Sequence, residues 1–175
     1  YRHKPGMTLL TQRRSVLLMK LCYPVPTAVY IYILWTLQAV SSLDWVALVL
    51  TALGTALIGV AKSHLGGSHA WTGYYREGVP LVTHGVYQWL RHPLYVGIAI
   101  FLCSALLTIL PHGTLLLSIV VVLFVAGILT FLGVSARRET ERLAGDHGEA
   151  FGRYRGAVHP WLPVQRRGED SGSAQ

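Results

Sequence analysis

The chain has 175 residues, 52% of them hydrophobic and only 13% charged, with a mean hydropathy of +0.43. A soluble domain carries about 25% charged residues, so this chain has too little polar side chain to cover a water-soluble globule. Its length allows one domain, disorder is excluded over most of it, and the net charge of +7 favours nucleic acid only if the cations are suitably placed.

Four apolar runs follow in chain order: about Val16 to Val40, Trp45 to Ala61, Leu94 to Leu110 and Leu115 to Val134. A membrane-crossing helix needs roughly 17–25 mostly apolar residues, so each run is expected to be one. The first contains Lys20, Pro24 and Pro26. Proline removes a donor and clashes with the preceding turn, so a kink or a late helix start is expected there. A cleaved signal peptide is the competing reading of this run, but its apolar region would span only about 7–15 residues. Tyr1 is not an initiator residue, so the expectation is a trimmed chain or a natural start at Met7. Cys22 and Cys103 fall inside apolar runs, where buried thiols are expected rather than a disulfide scaffold.

The charges order these runs across the bilayer. None of the 15 lysines and arginines lies in Ser41–Asp44 or Pro111–Thr114, the loops after the first and third runs. With four crossings every cation falls on one side, whereas three or five would scatter them. The bias of Lys and Arg toward the cytoplasm then places both termini inside. Basicity is thereby explained by orientation and anionic lipid headgroups, without nucleic acid. The expected fold is an all-α polytopic membrane protein, with four transmembrane helices in two hairpins. Residues 1–165 form a single domain and 166–175 a polar, disordered tail. Any chemistry belongs to the two cytoplasmic segments, Lys62–His92 and the stretch after Ser135.

The first of these ends in the densest cluster of functional side chains, Leu81 to Gly97. Gly85 after His84 reads as a turn with positive φ. Pro93 opens the third run at its first helical turn, where its missing N–H costs nothing. That helix end would turn free N–H groups and a positive dipole end toward the cytoplasm, a seat for a carboxylate. An inert headgroup belt of Tyr, Trp and Arg is the plain alternative. In the second segment Glu139, Arg142 and Leu143 share a helix face, which is either solvated or presents a carboxylate to an ammonium group. The histidines suggest no metal site. His64 and His69 are five apart, His84 and His92 eight apart, and no Cys or carboxylate completes a ligand set.

Together the segments resemble the isoprenylcysteine carboxyl methyltransferase and phospholipid methyltransferase superfamily of integral membrane enzymes. The resemblance runs from about Leu53 to Pro163. The motif Leu-Val-Thr-x-Gly-x-Tyr-x-x-x-Arg-His-Pro-x-Tyr-x-Gly is met at every named position. The second motif is met in part: Glu139, Leu143, Gly148 and Tyr154 fit, but Thr140 replaces its second Glu and Phe151 its usual Tyr. The resemblance implies S-adenosylmethionine-dependent methyl transfer at the cytoplasmic membrane face. Leu81, Val82 and Tyr87 would line the cofactor pocket, His92, Pro93 and Tyr95 would close on it, and Glu139 would hold the cofactor's ammonium group. The helix end near Pro93 would suit its carboxylate, and aromatic rings its adenine and sulfonium. Alignment and water exclusion would carry catalysis, so no general base is assigned.

One departure bears on the acceptor. The prenylcysteine enzymes place an arginine four residues before the first Glu of the second motif, where it contacts substrate. This chain has Ser135 there, and Arg138, one turn along the same face, is the candidate replacement for positioning the acceptor. A prenylcysteine carboxylate, an amine lipid headgroup and a hydrophobic thiol stay open as acceptors, with lipids the expected surroundings and no protein partner implied. Two other functions stay open: an NADPH-dependent sterol or isoprenoid reductase, whose relatives are about twice as long, and a non-enzymatic membrane scaffold.

Overall fold

The computed structural model describes residues 7–22, 24–36, 39–70 and 72–163. Five helices dominate: α1 (Arg13–Cys22), α2 (Pro24–Thr36), α3 (Ser42–Leu65), α4 (Pro93–His112) and α5 (Leu115–Ala157). Two short strands, β1 (Met7–Leu9) and β2 (Tyr74–Arg76), pair antiparallel with Thr8 opposite Tyr75. Single 3₁₀ turns occupy Gly66–Ser68 and Gly85–Gln88. The tail at 166–175 and the Cys22 side chain lie outside the described residues.

Three of these helices, α3, α4 and α5, are long and apolar enough to cross a membrane. The first predicted span differs. It is divided into α1 and α2, because Pro24 begins a new helix instead of continuing the old one. The 13 residues of α2 reach only about 20 Å at 1.5 Å per residue, short of the ~30 Å hydrocarbon core.

The tightest contact is between the antiparallel helices α3 and α4. A Cβ on Gly54 would lie 2.9 Å from the Gly97 carbonyl oxygen, and one on Gly97 would lie 2.8 Å from Ile58 Cγ1. Only glycine permits that approach, and it lets Thr51 and Ser104 share a hydrogen bond of 2.7 Å between helices. At the far end Asp44 forms a capping box with Ser41 and takes a 3.0 Å contact from His112 Nε2 of α4. The core is a pair of helical stripes, Ile98, Leu102, Ala105 and Ile109 on α4 and Val121, Val125, Ile128 and Leu132 on α5, joined by Tyr30 and Ile33 of α2.

Outside these stripes the apolar side chains are bare: Leu115 is 78% exposed and Leu123 68%. In a membrane protein that surface faces lipid, which is where the excess hydrophobicity of the composition goes. Cys103 lies off the buried α4 stripe and is exposed, so the expected buried thiol is corrected. The 43-residue α5 is far longer than a bilayer requires. Its apolar part ends near Val134, and residues 135–157 continue beyond it as a polar extension. Inside that extension Gly148 leaves helical geometry, with φ 49° and ψ −123°.

Candidate functional site

A cavity forms where the ends of α3 and α4, strand β2, the 79–82 stretch and the polar extension of α5 meet. It holds about 770 Å³ of empty space, part of it open to solvent. Its walls are assembled by long-range contacts. Gly85 takes φ 61°, and the His64 ring stands 2.6 Å from where a Cβ would be, so this turn tolerates only glycine. The His64 Nδ1 accepts from the Val86 N–H at 3.4 Å, and the Tyr87 hydroxyl donates to the Ala61 carbonyl at 3.4 Å. Both bonds fasten the turn to the end of α3. The Tyr154 hydroxyl donates to the Tyr87 carbonyl at 2.7 Å, which ties α5 to the same turn.

The C-terminal segment completes the wall. The Arg91 and His92 backbone N–H groups donate to the His159 and Pro160 carbonyls at 3.1 and 3.3 Å. The Arg91 side chain adds a 2.9 Å bond to the Val158 carbonyl. His92 is the N-cap of α4, with Pro93 in its first turn. Its ring stacks on Tyr95 at 5.7 Å and meets Trp161 at the same distance.

The electrostatics concentrate on Glu139. Its side chain is 31% exposed, and that exposure is to the cavity. Burial under the surrounding protein pushes its carboxyl up to about 7, a hydrogen bond from Tyr95 pulling it partly back. His92 Nδ1 stands 3.6 Å from Glu139 Oε2, and His92 Nε2 stands 3.2 Å from Thr140 Oγ1. Burial, and then the neighbouring Arg91 charge, lowers His92 to about 4, so the ring is neutral at pH 7. Burial raises the Tyr75, Tyr87 and Tyr154 hydroxyls far above their ordinary range, keeping them neutral donors.

Of the residues singled out in the sequence, Leu81, Val82, Tyr87, His92, Tyr95 and Glu139 all line this cavity. Pro93 is fully buried behind it in the first turn of α4. Arg138 is not in the lining; its Nη1 donates to the Leu10 carbonyl at 2.7 Å, holding the N-terminal strand instead. Ser135 is fully buried, with no hydrogen-bond partner for its hydroxyl among the described residues. Among the described residues no three His, Cys, Asp or Glu side chains gather as metal ligands.

The sequence reading missed Tyr74, Tyr75 and Arg76, which also line the cavity. They lie on β2, whose partner β1 is more than 60 residues away, so no local periodicity announces the strand. The run of two tyrosines and an arginine was the one available signal. The Tyr75 hydroxyl donates to Asp146 Oδ2 at 2.8 Å, which fastens β2 to α5.

Residues 45–144 match the isoprenylcysteine carboxyl methyltransferase (ICMT) family. No curated protein and no solved structure matches the chain. The family match covers more than half of the chain and takes in His92 and Glu139, the two polar groups that face each other across the cavity wall. On this combination of apolar helices, cavity and family match, the protein belongs to the isoprenylcysteine carboxyl methyltransferase family, a family of integral membrane methyltransferases.

Proposed function

We propose that the protein transfers a methyl group from S-adenosylmethionine to a lipophilic acceptor at the cytoplasmic face of a membrane. One observation carries this reading: a single aromatic cavity holds both the Glu139 carboxyl and the N-terminal end of α4, linked through His92 at 3.6 Å. An α-amino-acid group carries an ammonium and a carboxylate on one carbon. A carboxylate suits the first, and a helix N-terminus the second. Tyr74, Tyr87 and Tyr95 line the cavity, and aromatic lining suits a purine and a sulfonium. When bound, the cofactor supplies a methyl group on sulfur, already activated for transfer. The chain's own task is to hold donor and acceptor in line and keep water out.

Orientation follows from charge. Lys62, Arg76, Arg91, Arg137, Arg138 and Arg142 all belong to the cavity end of the bundle, and none of the 15 cations lies in the loops at 41–44 or 111–114. That bias favours a cytoplasmic cavity. The pairing of β1 with β2 and the capping of α3 by Ser41 at the opposite end support a path in which α1 and α2 together carry the chain between the two ends. Both termini on the cytoplasmic side fit this path.

For the acceptor we favour a lipophilic thiol or an amine headgroup over a prenylcysteine carboxylate. Ser135 offers no charge, and Arg138 is engaged with Leu10 away from the cavity. Calorimetric titration of the purified protein in lipid nanodiscs tests the cofactor, with S-adenosylmethionine, S-adenosylhomocysteine and NADPH as probes. Binding of both adenosyl compounds but not NADPH is expected. NADPH binding alone would favour the reductase, and no binding the scaffold. Robust methylation of a farnesylcysteine analogue, abolished by Arg138→Ala, would overturn the acceptor preference.

A further inference from the structure

Thr140 occupies the position where the second motif usually carries another glutamate, and its hydroxyl is fully committed. Its Oγ1 donates to the Ala136 carbonyl one turn back at 2.8 Å. A hydroxyl has one proton, so toward His92 Nε2, at 3.2 Å, the same oxygen is an acceptor. His92 must then carry its proton on Nε2, which leaves a lone pair on Nδ1. That lone pair faces Glu139 Oε2 at 3.6 Å. Two lone pairs facing each other repel when the carboxyl is ionised, and a proton on the carboxyl removes the repulsion.

We propose that Thr140 is a positioning residue that fixes His92 as its Nε2–H tautomer, and so adds to burial in holding Glu139 in its acid form until a cationic ligand displaces the proton. The exchange balances. The Glu139 carboxyl loses one proton to solvent, and the ligand's ammonium group takes its place beside the carboxylate. His92 is buried at 6% exposure, so placing the proton on its ring instead is disfavoured. Burial raises Glu139 and, with the Arg91 charge, lowers His92, which favours the same division of the proton.

The other groups facing Glu139 are consistent with it. Tyr95 of α4 opposes it only in part, its hydroxyl favouring the ionised carboxyl against the larger effect of burial. Tyr87, Tyr75 and Tyr154, from the 85–88 turn, β2 and α5, are neutral. The cations lining the cavity are Arg76 and Arg91, and Arg91 is bonded to the Val158 carbonyl. The tautomer stands independently of any cofactor assignment; only the identity of the cation rests on the reading of the cavity as an S-adenosylmethionine site.

The test uses full-length protein in nanodiscs, labelled with ¹⁵N-histidine and free of ligand, with the His92 signal assigned by its loss in His92→Asn. Ring nitrogen shifts distinguish the two tautomers. Nε2–H is expected in the wild type and in Thr140→Ser. In Thr140→Val, which lacks the acceptor, the proton is expected to move to Nδ1 and point at Glu139. A wild-type ring protonated on Nδ1, or an unchanged ring in Thr140→Val, would overturn the proposal. Calorimetry with S-adenosylhomocysteine at pH 6, in two buffers of different ionisation enthalpy, reads the proton. Wild type and Thr140→Ser should release about one proton per ligand, and Thr140→Val clearly less, burial alone sustaining the remainder; equal release from Thr140→Val would overturn the proposal. Absence of release from the wild type would also overturn it. A wild-type Nε2–H ring in a protein that binds no adenosyl compound would support the tautomer and reject the cofactor reading.

Discussion

Replacing Glu139 by Gln tests the centre of the site, because it removes the charge while keeping size and shape. The Gln amide can donate to the His92 Nδ1 lone pair that Glu139 faces at 3.6 Å, so the fold should survive. The loss on binding is that of a charge-assisted hydrogen bond, about 1.5–3 kcal/mol, or roughly ten- to a hundredfold in affinity. Ionisation modulates this. Because the carboxyl of the empty site sits at about 7, little must be spent to ionise it at pH 7.5. At pH 6 the cost is about 1.4 kcal/mol. The sign is fixed: the group is raised when empty and ionised when paired with an ammonium, so wild-type affinity is full above pH 7 and falls as pH drops. Titration calorimetry with S-adenosylmethionine from pH 6 to 8 should show wild-type affinity dropping about tenfold at the acid end. Glu139→Gln should stay flat, so the gap between the two narrows toward pH 6. Equal affinities at pH 7.5, or a ratio independent of pH, would refute the reasoning and return Glu139 to a surface role.

Further outcomes follow from individual contacts. Gly97→Ala forces a Cβ to within 2.8 Å of Ile58 and should lower stability by about 1–3 kcal/mol in detergent melting curves, whereas Gly59→Ala, with open space around it, should not. Tyr154→Phe removes the 2.7 Å bond to the Tyr87 carbonyl; it should cost about 0.5–1.5 kcal/mol and weaken S-adenosylmethionine binding by loosening that wall. Arg138→Ala frees the Leu10 carbonyl, so hydrogen exchange should rise across residues 7–10 while cofactor affinity stays constant; a rise in KM for a carboxylate acceptor would instead place Arg138 at the substrate. In a background without Cys22 and Cys103, a cysteine at Ser42 should react with impermeant reagent from outside the cell and one at Glu141 should not; the reverse pattern would invert the orientation.

Hydrophobicity made the bilayer legible directly. Lipid selects long apolar helices whatever their neighbours, so α3, α4 and α5 could be read from composition and length alone. The dense stretch from Leu81 to Gly97 was legible for a related reason: its turn glycine, helix-opening proline and aromatic residues each carry a local conformational or chemical preference. Pro24 and Pro26 announced a disturbance in the first run, but not whether it would be a kink or a division. That depended on how α2 seats Tyr30 and Ile33 against the α4 and α5 stripes.

By itself, then, the sequence determined a membrane protein with a charged end and a candidate site around His92 and Glu139. Tertiary structure decided which polar groups meet there. Thr140 and His92 are 48 residues apart, Arg138 and Leu10 are 128 apart, and Tyr75 and Asp146 are 71 apart. Each of these pairings depends on the rotation and axial offset of whole helices packed against one another. A local residue pattern specifies which face of a helix is apolar, but not which atom of a distant segment its polar face will meet. For that reason the position of Arg138 on α5 could not reveal the bond that its guanidinium makes to the Leu10 carbonyl, which only the packed chain shows.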